Sequence, residues 1–552
     1  MEQAIAQIVN DLFDTKVEVV LTRPEAQFGD YASNIAMQLA KQVGQNPRQI
    51  AEMIAERLRG HEDIASVEIA GPGFINIWLS DSALLAQMHK EPSKIYSGQK
   101  IVFEYSCPNA FKELHTGHLY QTIYGDIVAR LLLLGGADLQ RTSFGGDVGL
   151  HVAKCLWGMR QKLSGDNPNK LETVSNDVFE RARWISQCYV LGAAAYETDA
   201  KSEIDALNKT VYGFHDTNDH ESDLAKIYWT TRQWSFDYFD AFYELIDVVP
   251  MRYYPESQTT ATGLRVIHEQ LEKGNLKRSE GAIVFEGDES QHLHTRVFVT
   301  SQGLPTYETK DIGVIWHEKA DYDFAQRYLL TGNDQREYMR VVFAAAETFR
   351  PELKGMMKHF TNGTVRFGDG KKMSSRLGNV SRAADVIEAV EEKVAELVDE
   401  VAQRREVTLG AVKYAFAKYR LGGDINFDID ETVSLQGNSG PYLQYAYARA
   451  RRMIEKSSHD FLRPQIINDE DKMLVRKLGA YHEVVDLAIR ELAPHHICNY
   501  LFELAQEFNR YYEKNQVIGS DNEAHRLGLV SLYADTLKAG LTILGITAPE
   551  RM

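Results

Sequence analysis

The chain has 552 residues, 44% of them apolar and 25% charged, with no low-complexity tract, so about three or four globular domains are expected. Its net charge of −17 disfavours broad nucleic-acid coating, although two confined basic stretches, RFGDGKKMSSR (366–376) and YARARRMIEK (447–456), suit either a limited polyanion track or a solvated surface. The amphipathic start MEQAIAQIVNDLFD does not read as a signal peptide, no apolar run reaches membrane-span length, and Cys107, Cys155, Cys188 and Cys498 form no CxxC pair, so a cytoplasmic protein without a disulfide framework or zinc ribbon is expected.

Residues 1–97 read as a small α+β domain, with a first helix, strands at VEVVL (17–21) and within SVEIAGPGFINIWL (66–79), and helices between them. EPSKIYSG (91–98) clusters Pro, Ser and Gly and reads as a linker. An α/β pattern follows over 98–360. IVFEYS (101–106) predicts a buried strand, GHLYQTIYGDIVARLLLLGG (117–136) a helix ending at Gly135-Gly136, and LQRTSFGG (139–146) a second strand. The polar, helical stretch from about 150 to 290 resembles an insertion. Alternating segments return at 294–318 and 327–347. A glycine-rich loop and connecting helical region are expected over 361–425, and a helix bundle over 426–552. The fold class is therefore multidomain α/β and α: a Rossmann-type parallel-sheet core with an insertion, a small α+β N-terminal domain and a C-terminal helix bundle.

Two constellations carry chemistry. His115-Thr116-Gly117-His118 sits where a strand gives way to a helix, and spacing i, i+3 puts both imidazoles on one face. Free amides and partial positive charge collect at such a helix start. Imidazole N–H groups can donate to phosphate oxygens as their charge grows, and Gly117 leaves room for a flat base against the backbone. The same pair also suits two satisfied, partly buried histidines or half a metal site. The second constellation is Gly370-Lys371-Lys372-Met373-Ser374-Ser375-Arg376, a loop with the cations and hydroxyls that a leaving pyrophosphate needs; alone it equally suits an exposed basic turn.

The pair resembles the HIGH and KMSKS signatures of class I aminoacyl-tRNA synthetases, and nearly the whole chain is similar to the arginyl members of that family. The residues that carry the likeness are FGDYASNIAMQLAK (28–41), AGPGFIN (70–76), EYSCPNAFKELHTGH (104–118), TYETKD (306–311), GNDQ (332–335), GPYLQYAYAR (440–449) and the ending LGITAPERM. Three departures stand out. Tyr120 replaces a usual Arg, Cys107 a usual Ser, and Ser375-Arg376 follows Lys372-Met373-Ser374 without the second signature lysine. In arginyl members a lysine just before the first signature is thought to compensate, and here that position is Lys112.

A guanidinium is held best by carboxylates in a planar, forked arrangement. Glu104 ends the first strand, where side chains face the ligand crevice of an open α/β sheet. Tyr307 and Asp311, spaced i, i+4, share a face if TYETKDIGVIW is helical. A surface pairing of Asp311 with Lys310 or Arg327 is the plainer alternative. The resemblance implies Glu104 and Asp311 toward the guanidinium, Tyr307 lining it, and Asn109 and Gln335 on the carboxylate and amino group. It also implies ATP held by His115, Gly117, His118, Lys372, Met373, Ser374 and Ser375, with Lys112, Lys372 and the two histidines catalytic and Mg²⁺ on the phosphates.

The implied function is arginyl-tRNA synthesis. Arginine attacks the α-phosphorus of ATP, and the adenylate then passes to the 3′-terminal ribose of tRNA. Anticodon bases in such bundles stack on aromatics and arginines. Tyr442, Tyr445, Arg449, Arg452 and Tyr511 are candidates, as are Tyr447, Phe508 and Tyr512, each of which also suits a core position. A monomer is expected, with tRNA, L-arginine and ATP as partners and no membrane. The alternatives are another HxGH nucleotidyl transferase, disfavoured by the long helical C-terminus, and a non-catalytic synthetase-like RNA-binding protein, disfavoured by the intact histidines, Lys372 and acids.

Overall fold

The structure is a computed structural model that describes residues 1–288, 290, 292–367, 382–457 and 463–552. The apolar run at 101–104 becomes the central strand, Lys100–Glu104, of a five-stranded parallel sheet. On one side lie Gln326–Gly332 and then Met357–Asn362; on the other lie Asp138–Gly145 and then Arg252–Pro255. Such continuous apolar strands belong to a sheet covered on both faces. Chain direction across the sheet reverses between Lys100–Glu104 and Gln326–Gly332, and a ligand crevice is expected beyond the strand ends at that point.

The helix expected at 117–136 runs over Thr116–Leu134. Leu119, Tyr120, Ile123, Tyr124, Ile127 and Leu131 are buried, because the helix is enclosed between the sheet and the helix Val401–Ala417. TYETKDIGVIW is helical, within Tyr307–Tyr322.

Two expectations need correction. VEVVL (17–21) forms no strand; pairing there is confined to Thr22, which exchanges two backbone hydrogen bonds with Ala32. The edge of that small antiparallel sheet is instead Tyr31–Ser33, beside the hairpin of Ile64–Ala70 and Phe74–Leu79. The alternation in VEVVL is real, with Val19 buried and Val20 exposed, but a strand also needs a neighbouring backbone along its length.

The second correction concerns the stretch 150–290. Its helices Leu150–Leu163, Val178–Tyr196, Lys201–Asp216 and Asp223–Leu245 do share apolar clusters of their own. Arg252–Pro255, however, pairs with Thr142–Gly145 and completes the central sheet. The excursion thus ends before the strand at 252, and the three short strands between 277 and 299 form a separate antiparallel sheet.

The C-terminal periodicity resolves into Gly440–Lys456, Lys472–Gly479, Tyr481–Glu491, His495–Lys514 and Glu523–Ile543. This bundle holds the N-terminal unit directly. Arg23 meets Glu483 at 2.6 Å, the Tyr31 hydroxyl also donates to Glu483, and Arg476 meets Asp30 at 3.3 Å.

Candidate active site

At the strand ends lies a cleft of about 1070 Å³. Its walls bring together Glu104, Asn109, His115, Gly117, His118, Tyr307, Asp311 and Gln335, eight of the residues singled out in the sequence. The turn that delivers the first five is sharply bent. Ser106, Cys107 and Phe111 all have positive φ, a conformation that non-glycine residues adopt only when their surroundings hold them. The hold comes from the helix Asp223–Leu245: Ser235 Oγ accepts from the Phe111 N–H at 3.1 Å, and Tyr238 Oη from the Leu114 N–H at 3.2 Å. The 150–290 stretch therefore braces the turn that precedes the first signature.

The two histidines cap their own helix. His115 Nδ1 accepts from the Gly117 N–H at 3.0 Å, and His118 Nδ1 accepts from the His115 N–H at 3.2 Å, a reciprocal capping box. An imidazole nitrogen that accepts carries no proton, so in each neutral ring the proton sits on Nε2. Burial, and then Lys112, depresses the His115 pKa; burial, then His115 and Lys112, holds that of His118 well below its usual value. The site thus offers two neutral rings, 3.9 Å apart between centroids, each with one N–H donor. Gly117 is required for a reason the sequence did not give: a Cβ there would lie 2.8 Å from His115 Cε1 and displace the ring.

The far end of the cleft is acidic. Glu104 and Asp311 are both buried. Glu104 pairs with the buried Arg327, and the Tyr338 hydroxyl donates to Asp311. The surface pairing of Asp311 with Lys310 does not occur: Lys310 is committed to Glu256 at 2.5 Å, and that carboxylate keeps the ammonium pKa high despite burial. Burial pushes the Asp311 carboxyl up to about 7, against the pull of the Tyr338 hydroxyl and Arg327. Burial also raises Glu104, with Arg327 opposing. Tyr307, 63% exposed, stands at the rim with the Lys310 ammonium 5.2 Å from its ring centre. Asn109 Oδ1 accepts from the Gly146 N–H at 2.7 Å, and Gln335 donates to Asp334 at 2.7 Å.

Other predicted residues lie elsewhere. Lys112 does not line the cleft; its ammonium sits over the Tyr189 ring, 4.3 Å from the centre. Lys372, Met373, Ser374 and Ser375 fall outside the described residues. The described residues on either side of that stretch both stand at the site: Phe367 lines the cleft, and Arg382 bridges to the His115 backbone.

On the helix Gly440–Lys456, Tyr442, Tyr445, Arg449 and Arg452 follow one face at helical spacing. Tyr445 is 43% exposed, Arg449 and Arg452 are exposed, and Tyr442 is half-buried against Phe502. Tyr511 is a correction. It is 5% exposed with its hydroxyl bonded to Asp471 at 3.0 Å, because its position on His495–Lys514 faces the bundle core. Tyr447 and Phe508 are core as well.

Sequence reasoning missed Arg296, Glu308, Gln121, Tyr338 and Asn362, all of which line the cleft. Arg296 pairs with Glu308 at 3.6 Å, and Gln121 donates to Asn362 at 3.1 Å. Gln121 lies one turn beyond His118 on the same helix, which was a usable signal. Glu308 lies beside Tyr307, and Tyr338 three residues beyond Gln335, equally usable signals, whereas Arg296 and Asn362 arrive from segments in which the sequence singled out no site residue.

Comparison with known proteins bears on the whole length. The family model for the arginyl-tRNA synthetase N-terminal domain matches residues 1–79, that for the class I (R) tRNA synthetase catalytic domain 81–418, and that for the DALR anticodon binding domain 443–552. Among curated relatives, an arginine–tRNA ligase of Synechococcus sp. is 30% identical over 97% of this chain and 95% of its own length. One of Shewanella loihica is 30% identical over 100% of this chain and 99% of its own. A solved arginyl-tRNA synthetase of Thermus thermophilus shares the fold with a TM-score of 0.81 at 23% identity, covering 100% of this chain and 99% of that one. The methionyl enzyme of Mycobacterium tuberculosis shares it more loosely, with a TM-score of 0.52 at 13% identity over 82% of this chain and 92% of that one. With histidines and buried acids converging on one cleft and the three domain models matched in order, the chain belongs to the arginyl-tRNA synthetase family, class I aminoacyl-tRNA ligases.

Proposed function

We propose that this chain activates L-arginine with ATP, releasing pyrophosphate, and then transfers the arginyl group to the 3′-terminal ribose of its tRNA. The observation that carries the reading is the shape of one cleft: neutral N–H donors at one end and two buried carboxylates at the other. His115 and His118 donate through Nε2 to phosphate oxygens of ATP as the α-phosphorus is attacked, and Gly117 lets the nucleotide approach the helix start. Glu104 and Asp311 bind the guanidinium, and Tyr307 covers it. Asn109, whose Oδ1 is already engaged, offers its NH₂ to the substrate carboxylate, and Gln335 takes the amino group. Lys372, Met373, Ser374 and Ser375 are assigned to the phosphates on sequence grounds. Lys112 reaches them only by leaving the Tyr189 ring; where it stands, its charge helps keep both histidines neutral.

Among the described residues no group of three or more His, Cys, Asp or Glu could hold a metal ion. Mg²⁺ binds through phosphate oxygens, water and one or two carboxylates rather than an all-protein cage, so we assign it to ATP as part of the nucleotide substrate. A monomer is our reading of the chain. Among the described residues no helix is long and apolar enough to cross a membrane; a cytoplasmic setting with no membrane partner is our reading. Residues 1–97 and 426–552 are assigned to tRNA, the latter through the stripe Tyr442, Tyr445, Arg449 and Arg452; 98–360 form the catalytic domain and 361–425 its connection. ATP–pyrophosphate exchange with each amino acid, with and without tRNA, tests the reading. Exchange with arginine alone is expected; exchange with lysine, glutamine or cysteine but not arginine would overturn it.

A further inference from the structure

Beneath the acidic end of the cleft lie two charged residues that line no part of it: Arg327 on the strand Gln326–Gly332 and Glu318 on the helix Tyr307–Tyr322. Both are fully buried. The guanidinium is a fork, and it is used as one. Nε donates to Glu318 Oε2 at 2.6 Å, and Nη2 donates to Glu104 Oε2. The other Glu318 oxygen, Oε1, accepts the Thr142 hydroxyl at 2.6 Å. Both oxygens of Glu318 are thus taken by protein groups. Glu104 is different. Among the described residues its second oxygen, Oε1, meets only the Cys107 thiol, a weak donor at 3.5 Å, and both of those residues line the cleft.

The charges explain the arrangement. Three carboxylates, Glu104, Asp311 and Glu318, surround one internal guanidinium, and Arg327 interacts with all three. If Arg327 faced Glu104 alone, its charge would cancel the Glu104 charge, and only Asp311 would remain to attract a cation. Glu318 prevents this by drawing on the same guanidinium through the neighbouring donor, Nε, and adding a third negative charge around it. The fork also fixes the Glu104 carboxylate, so that one oxygen is held by the sheet and the other is turned to the cleft.

We propose that Glu318 is a positioning residue that takes up part of the charge of Arg327, and so leaves the pocket net negative with Glu104 held in place and its second oxygen aimed at the guanidinium of the amino-acid substrate. Thr142 holds Glu318 in place for this task. The inference rests on the arginine reading of the Glu104–Asp311 pocket, and the test separates the two. In the full-length protein, Glu318→Gln is expected to raise the KM for arginine about tenfold while the KM for ATP and kcat stay within about twofold. Glu318→Asp, which keeps the charge, is expected to restore much of the loss. A purely packing role would lower Tm without separating the two KM values. Glu104→Gln tests the pocket itself and is expected to raise the arginine KM. An unchanged arginine KM in Glu104→Gln would overturn the pocket reading and the inference with it. A raised value there, with an unchanged one in a folded Glu318→Gln, would overturn the inference alone. Should Glu318→Gln fail to fold, Thr142→Val decides: a rise of about two- to threefold in the arginine KM alone is expected, and none would overturn the proposal.

Discussion

The two ends of the cleft solve opposite electrostatic problems. At the histidine end, two groups that titrate near neutrality are made uncharged, because burial and Lys112 oppose their protonation and backbone N–H groups fix their tautomers. At the acidic end, carboxylates are crowded together with too little internal positive charge to balance them. One end is finished before any ligand arrives, and the other is completed by its ligand. The first favours a stage of the reaction where charge on phosphate oxygens grows; the second favours a cation brought from outside.

The comparison breaks most sharply at the histidine end. His118→Ala removes one N–H donor and half of the capping box, and should lower the rate of ATP–pyrophosphate exchange by about 10²–10³. The KM for arginine should hardly move, since Asp311 and Glu104 are untouched. Steady-state exchange measured with arginine and ATP varied separately checks this. A large rise in the arginine KM would mean that the two ends are not independent.

At the acidic end the expected signature is a pH dependence. In the free protein burial lifts the Asp311 carboxyl to about 7 and raises Glu104 as well. A protonated carboxyl attracts a guanidinium poorly. Affinity for arginine should therefore improve as pH rises through this range, and binding should pull both pKa values down and release protons. The arginine KM is expected to fall about tenfold between pH 6 and 8, with the ATP KM nearly flat. Asp311→Asn should raise the arginine KM by about tenfold at pH 8 and leave only the part of the pH dependence that Glu104 contributes. A pH profile that ATP and arginine share would place the titration elsewhere.

What the sequence disclosed about these two ends follows from range along the chain. The strand–turn–helix around 101–134 was legible because apolar period, a glycine stop and the histidine pair all lie within one short segment. Tyr307 and Asp311 were legible as a helical pair for the same reason. The strand Arg252–Pro255 was not, because its four residues carry no pattern of their own and gain their role from pairing with Thr142–Gly145. Tyr511 was misjudged since an aromatic at helical spacing suits a core and a stacking surface equally. Arg327 did leave a trace. An arginine inside the apolar run RYLLTG needs a buried carboxylate, but nothing local says that Glu104 and Glu318 supply it from positions 223 and 9 residues away.

The smallest expected effect sharpens the comparison further. The Tyr338 hydroxyl donates to the Asp311 carboxylate, and a hydrogen bond to the charged form favours that form. Tyr338→Phe should therefore raise the Asp311 pKa and move the arginine KM profile to higher pH. At pH 7 the arginine KM should rise by about three- to fivefold, and at pH 9, where the carboxyl is ionised in either case, the difference should nearly vanish. The ring itself is kept, so Tm should change little. The same substitution has no route to the capped imidazoles, and kcat for exchange at saturating arginine should stay at the parent value. If the loss persisted undiminished at pH 9, Tyr338 would be shaping the pocket by contact rather than through the ionisation of Asp311, and the acidic end would be a fixed surface like the histidine end.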